Sequence, residues 1–368
     1  MGDTGSVESA RNASLESPAD VGPMTADLSR IAVSVIMPVL NEGRHLRAAV
    51  HRVLGQHWPG RLEVILSVGP SHDDTSEIAA ALERSDPRVV LVANPSGRTP
   101  DALNRAVEVA TGDVIVRVDG HAEIGDDYLA TAVATLLETG ADNVGGIMDA
   151  RGVTTFERAV AVAMKSPVGV GNSRFHVGGE AGPSDTVYLG AFRADTIRRI
   201  GGYDTRYTRA QDWELNHRIR ESGGLVYFTP KLKVVYRPRS SVRSLARQYY
   251  DYGRWRRVVA RRHRGTINAR YLAAPSMVIG VAGAVILGAW RPEALAVPGA
   301  YLAGTILAGV HISRAEPQQV RALTPLVLMT MHWSWGVGFL FSPRQLSVAT
   351  GDAREGTSAV SDEVGGSE

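Results

Sequence analysis

The chain has 368 residues, 44% of them hydrophobic, and carries 40 Lys+Arg against 38 Asp+Glu, a formal charge of +2. It has no cysteine, which excludes disulfide frameworks, cysteine-held zinc, iron–sulfur clusters and thiol nucleophiles. The length suffices for one large domain with an appendage, and no Lys/Arg start followed by an apolar run argues for a secretory signal peptide.

These averages hide a segregation. Residues 271–341 hold 43 hydrophobic side chains out of 71 and only five charges, Arg291, Glu293, Arg314, Glu316 and Arg321. From Arg237 to Arg270 there are eleven Arg and one acid, Asp251, a local charge of +10. A polar body, a basic collar and a membrane-like end are therefore expected.

In chain order, residues 1–30 are rich in small and acidic residues without apolar period, and a disordered tail is expected there. Residues 31–37 read as a buried strand stopping at Pro38. A helix is expected over 42–56, a strand over 62–68, and a helix capped by Asp73 or Asp74 and reaching Leu82. A strand over 89–93, a helix from Thr99 or Asp101 to Ala110 and a strand over 114–118 follow. Strands alternating with such helices predict an α/β domain, Rossmann-like with a mostly parallel sheet, over residues 31–240. Ligands in such sheets bind beyond the carboxyl ends of the strands. A basic amphipathic interfacial segment is expected over 241–270, two to three transmembrane helices over 271–341, and a second disordered tail over 342–368. The apolar stretches 271–290, 294–310 and 322–341 carry no charge, and a spanning helix needs about 20 such residues. The other reading is three buried core helices, an unusual density for a soluble fold. The arginine collar would face the cytoplasm, and three full spans would leave the C-terminus outside.

No Gly-x-Gly-x-x-Gly follows the first strand and no Gly-x-x-x-x-Gly-Lys-Ser/Thr is present, so dinucleotide and P-loop fingerprints are lacking. The loops instead carry Pro38-Val-Leu-Asn-Glu42, Ser71-His-Asp-Asp-Thr75 and Asp119-Gly-His-Ala-Glu123. Further on stand Ser166-Pro-Val-Gly-Val-Gly171, Gly201-Gly-Tyr-Asp204, Gln211-Asp-Trp-Glu-Leu-Asn216 and Gln248-Tyr-Tyr-Asp-Tyr-Gly-Arg-Trp255. In this order the set resembles glycosyltransferase family 2 with the GT-A fold, nearest to succinoglycan-biosynthesis-type membrane glucosyltransferases, over about residues 31–260.

That resemblance implies inverting transfer of a hexose from a nucleoside diphosphate sugar, uridine-linked, to a lipid-linked or growing cell-surface glycan. It implies a divalent metal, Mn2+ or Mg2+, at Asp119 and His121, where the family carries Asp-x-Asp and this chain has His in the second place. A hard cation there would stabilise the leaving diphosphate. Pro38, Val39, Asn41 and Glu42 match the nucleotide-binding first loop, with Glu42 also readable as a first-turn acid. Ser71 and Asp73 match the second loop, while Val68 and Gly69 stand where the family offers Asp to uracil and ribose. Arg98 and Asn104 match donor-site positions.

Asp212 matches the catalytic base, which takes a proton from the acceptor hydroxyl; a plain helix cap is the other reading. Gln211, Glu214, Gln248, Arg254 and Trp255 match acceptor and diphosphate positions. Trp255 and the neighbouring tyrosines also fit an aromatic belt at a membrane surface. The implied place is the cell membrane of a bacterium, multi-pass, with the catalytic domain cytoplasmic. Membrane lipid and other polysaccharide-assembly enzymes are then partners. An Arg/Tyr-rich run also suits nucleic acid, but the adjacent apolar span argues against that partner. Two alternatives stay open: a polyprenyl-phosphate hexose synthase, and a degenerate transferase serving as a membrane scaffold.

Overall fold

The computed structural model describes residues 27–344 and 346. The expected tails fall largely outside the described residues; within them, a short 3-10 turn over Leu28–Arg30, capped by Asp27, already precedes the first strand.

The first half alternates as the hydrophobic pattern predicts. β1 (Val33–Val39), α1 (Leu46–Leu54), β2 (Leu62–Val68), α2 (Thr75–Ser85), β3 (Val89–Ala93), α3 (Thr99–Val109) and β4 (Val114–Arg117) follow one another. β1 runs through Pro38 rather than stopping at it. Pro38 has no N–H, and its outward edge points toward β4, whose pairing with β1 has already ended at Ile36. No ladder hydrogen bond is lost. α1 starts four residues later than expected, because Glu42 is held in the loop before it.

The second half adds β5 (Glu123–Ile124), α4 (Tyr128–Thr139), β6 (Asn143–Ala150), α5 (Thr155–Met164), α6 (Pro167–Val170), α7 (Arg174–Val177), β7 (Gly182–Pro183), β8 (Tyr188–Arg193), α8 (Ala194–Arg199), α9 (Gln211–Glu221) and β9 (Val226–Tyr236). The sheet runs β3-β2-β1-β4-β8-β6-β9-β5, with β7 on β9. Its first four strands are parallel, but β8 enters antiparallel between β4 and β6. The sheet is therefore mixed rather than mostly parallel. The strand period of two sends alternate β1 residues to opposite faces. Val35 and Met37 meet α1, α2 and α4 on one face. Ile36 meets α3, α8 and α9 on the other.

Four α-helices follow among the described residues: α10 (Val242–Arg262), α11 (Ala269–Leu287), α12 (Ala296–Ile312) and α13 (Gln318–Leu340). α11 and the stretch Pro292–Ile312 are long and apolar enough to cross a membrane, and only 17% and 11% of their most apolar windows is buried inside the protein. The third apolar stretch behaves differently. α13 buries Val320, Val327, Leu328 and Met331 in a core shared with α5, α10 and β6. Its glycines permit backbone contact with α10: a Cβ at Gly338 would meet the Tyr250 carbonyl at 2.1 Å, and one at Gly253 would meet the Trp335 carbonyl at 2.1 Å. α13 is thus the seam between the sheet domain and the apolar helices.

Candidate active site

A cavity of about 400 Å³ opens beyond the carboxyl ends of β1 and β4. The first loop brings Pro38, Val39, Asn41 and Glu42 to it, and the loop after β4 brings Asp119 and His121. The far wall is the start of α9, Gln211 and Asp212, with Gln248 and Tyr252 of α10 beneath.

Arg117, the last residue of β4, lies at the centre. Its Nε donates to Asp119 Oδ1 at 2.9 Å and its Nη2 to Asp119 Oδ2 at 3.3 Å, while Nη1 donates to Asp212 Oδ1 at 2.5 Å. One buried guanidinium therefore bridges two carboxylates from opposite walls. Burial alone would lower Arg117, but the flanking charges of Asp119 and Asp212 hold it well above its ordinary value. Burial raises the Asp212 carboxyl above the usual carboxylate range; Arg117 pulls it back and the Asp119 charge adds to the rise. Asp212 is not a side-chain cap, because the cap position of α9 is Ala210, held at φ 62, and the Asp212 carboxylate reaches Arg117. Arg117 was not among the residues expected at the site. Its signal is a single charge in the otherwise apolar run Val114–Val118, since a buried charge requires partners.

Glu42 is not a first-turn acid, because α1 begins at Leu46. Its Oε1 lies 2.7 Å from His121 Nδ1. Burial would lower the His121 imidazole, but Glu42 and Asp119 outweigh it and push it up to about 8. Asn41 holds a left-handed backbone at φ 55, a conformation Asn tolerates better than most residues.

The second loop supports the first rather than entering the cavity. Asn41 N donates to Ser71 Oγ at 3.0 Å, Gly43 N to Asp73 Oδ2 at 3.0 Å, and Glu42 N to Thr75 Oγ1 at 2.7 Å. Ser71 and Asp73 thus fix the shape of the 41–43 turn instead of lining the cleft.

Arg98 and Asn104 depart further from the expected donor contact. Arg98 donates to the Thr205 carbonyl and pairs with Asp101. Asn104 clasps the Tyr203 backbone, donating to its carbonyl at 2.8 Å and accepting from its N–H at 2.7 Å. Both anchor the loop that leads into Gln211 and Asp212. Glu214 is buried and points away from the cleft, gripping Arg218 with bonds of 2.8 to 3.0 Å. α9 turns Asp212 toward the cleft and Glu214, two residues on, to the opposite side.

Of the three residues expected from α10, Gln248, Arg254 and Trp255, Gln248 alone lines the cavity. Its Nε2 donates to the hydroxyls of Tyr236 at 2.8 Å and Tyr252 at 3.0 Å, leaving its Oε1 buried without a partner among the described residues. Arg254 lies over Tyr250 and near Asp251. Trp255 is 7% exposed and packs against Tyr207 with Val259. The longer spacing puts both a helical turn or more beyond Gln248, outside the cleft and not facing a sugar.

The chain is similar to known proteins along most of its length. A family model described as glycosyl transferase family 2 matches residues 34–201, from β1 to the end of α8. The succinoglycan biosynthesis protein ExoA of Rhizobium meliloti (strain 1021) is 31% identical over 315 residues, 85% of this chain and 95% of that protein. A dolichyl N-acetyl-α-D-glucosaminyl phosphate 3-β-D-2,3-diacetamido-2,3-dideoxy-β-D-glucuronosyltransferase of Methanococcus voltae is 25% identical over 230 residues, 60% of this chain and 71% of its own. Among solved structures, the mannosyltransferase PcManGT from Pyrobaculum calidifontis, in complex with GDP-Man and Mn2+, shares the fold. Its TM-score is 0.55 at 22% identity, covering 89% of this chain and 91% of that one. With a relative matched along nearly its whole length, a matching family model and the same architecture, the chain belongs to glycosyl transferase family 2 and is a glycosyltransferase of the GT-A fold.

Proposed function

We propose that this transferase moves a hexose, with inversion, from a uridine-linked nucleoside diphosphate sugar to a lipid-linked or growing cell-surface glycan at a membrane. The observation that carries the reading is the carboxylate of Asp212, presented on the first turn of α9 across the cavity from the β1 and β4 loops. In this reading the 38–42 loop takes the nucleotide, and Asp212 accepts the proton of the acceptor hydroxyl as that oxygen attacks the anomeric carbon. A carboxyl raised by burial is a stronger base than a solvated one, while Arg117 fixes its direction. The unpartnered Oε1 of Gln248 suits a sugar hydroxyl donor, and Gln211 flanks it on the same wall.

In this reading a divalent cation is shared with substrate: Asp119 and His121 face the same cavity, and the imidazole, raised by Glu42 to about 8, would give up its proton to bind the ion. Among the described residues no three His, Asp or Glu side chains converge on one point, so the protein offers one or two ligands. Cations bound in this way take the rest from substrate phosphates and water. Asp119 and His121 would hold it, and the ion would offset charge on the departing nucleoside diphosphate. The nitrogen of His121 favours Mn2+ over Mg2+. The apolar α11 and α12 and the arginine-rich α10 support a membrane location with the catalytic domain on the cytoplasmic side, and the ExoA relative supports exopolysaccharide assembly as the setting.

The test is a donor screen with membrane-embedded enzyme and lipid extract, reading which nucleotide is released. With the donor found, Asp212→Asn should keep the fold and lower kcat by about 10²–10⁴-fold. Transfer at the wild-type rate would remove Asp212 as the base. Chelator should abolish transfer and added Mn2+ should restore it; full activity in chelator removes the metal.

A further inference from the structure

A second cavity, of about 500 Å³, lies beside the active-site cleft and shares only Tyr252 with it. Its roof is the 167–171 segment, and its floor and sides come from α10, the first turns of α11, Tyr301 of α12, and α13. The lining is mostly apolar, with Val168, Ala274, Met277, Met331 and Trp335 among it. The roof is tied down: the His332 Nε2 of α13 lies 2.8 Å from the Val168 carbonyl. Gly169 lets it approach α5, since a Cβ there would meet the Ala163 carbonyl at 2.1 Å.

Two observations say what such a cavity would take. The first is continuity. Tyr252 lines both cavities, so the apolar one and the cleft that holds Asp212 adjoin at this side chain. The second is the polarity on each side of that divide. On the cleft side stand Arg209 and Arg239, whose charges act on the Tyr252 phenol. On the other side the walls are mainly alkyl and aromatic, the one charged side chain, Arg270, being stacked on Tyr271 and paired with Asp185, and they are built in part from α11 and α12, the two helices apolar enough to cross a membrane. A sugar in the second cavity would find few hydrogen-bond partners, whereas a hydrocarbon chain would gain by burial. A chain, then an anionic group, then a saccharide matches the order apolar cavity, arginines, Asp212.

We infer that the second cavity binds the hydrocarbon chain of a lipid-phosphate or lipid-diphosphate-linked acceptor, with Tyr252 marking where chain gives way to phosphate. This deepens the transferase reading above and rests on it. Chain length then becomes a determinant of acceptor binding rather than of membrane partitioning alone, and the Ser166–Gly171 motif acquires a role as the roof of the chain site.

The test compares one saccharide carried on a long-chain and on a short-chain lipid diphosphate, using full-length enzyme in nanodiscs. Val168→Trp and Ala274→Phe each fill the cavity; Val168 is 42% exposed, so the first is not expected to disturb the core. Each variant should raise KM for the long-chain acceptor about tenfold, with kcat, donor KM and the short-chain rate within twofold of wild type. An unchanged long-chain KM in both variants overturns the chain site, as does an equal loss on both acceptors. A phospholipid with a photoreactive acyl chain that labels the cavity equally with and without long-chain acceptor assigns it to bulk lipid and also overturns it. Failure of the underlying reading looks different: wild-type enzyme would then transfer sugar to neither acceptor.

Discussion

Arg117 joins Asp119 and Asp212 from opposite walls of the cleft, so one side chain sets the distance between the loop after β4 and the start of α9. Its planar fork matters as well as its charge, because it makes two bonds to one carboxylate and a third to the other. Arg117→Lys keeps the charge and loses the fork. It should lower kcat by about 10²-fold through misplacement of Asp212, while donor KM changes far less, measured by steady-state kinetics with varied donor. A kcat equal to wild type would mean that charge alone is sufficient. The same logic separates residues that line the site from those that hold it. Asn104 and Arg98 resemble donor-site residues by position, yet their side chains are spent on the backbone of residues 203–205. A single sequence reveals the residue type and not the partner, and polar side chains with a backbone partner look like ligands until the loop they bind is located.

At the scale of elements, the parallel half of the sheet is tied at the end remote from the cleft by Glu63. It accepts from Ser34 Oγ at 2.5 Å and from Thr111 N at 2.7 Å, linking β1, β2 and the entry to β4. Burial would raise its carboxyl, but the hydrogen bonds from Ser34 and Thr111 outweigh burial and hold it below the ordinary value. A depressed folded value means that this stabilisation is present above the unfolded carboxylate value of 4.5 and is lost as pH falls through the folded one. Glu63→Gln should therefore cost about 1 kcal/mol at pH 7, and the gap to wild type should close in strong acid. Urea melts at the two pH values check this; a gap constant with pH would sink the account. These strands were legible because each is a short, nearly continuous apolar run, as a strand buried on both faces is expected to be. β8 was not, since nothing in its own six residues says that it enters antiparallel between β4 and β6.

For the whole molecule, α13 decides how the catalytic body meets the apolar helices. Its apolar run reads like those of α11 and α12, yet it is packed against α10 through Gly253 and Gly338. Gly338→Val would drive a side chain into the Tyr250 carbonyl, and separation of the two helices should expose the core around Leu245 and Leu328. Purified variant should melt earlier and lose transferase activity in step with the melting; normal melting with normal activity would show the seam to be dispensable.

The sequence by itself determined the α/β alternation, the positions of the loops at the strand ends, the family and the basic boundary before the apolar helices. Each of these follows from local pattern: period, breakers, motif order and charge density. Only the tertiary structure decided that the sheet is mixed, that α13 is a seam, that Arg117 lies between two carboxylates, and that Trp255 and Glu214 face away from the cleft. Those facts depend on which surfaces meet across long stretches of chain, and a helix or a buried charge carries no local mark of the partner that satisfies it.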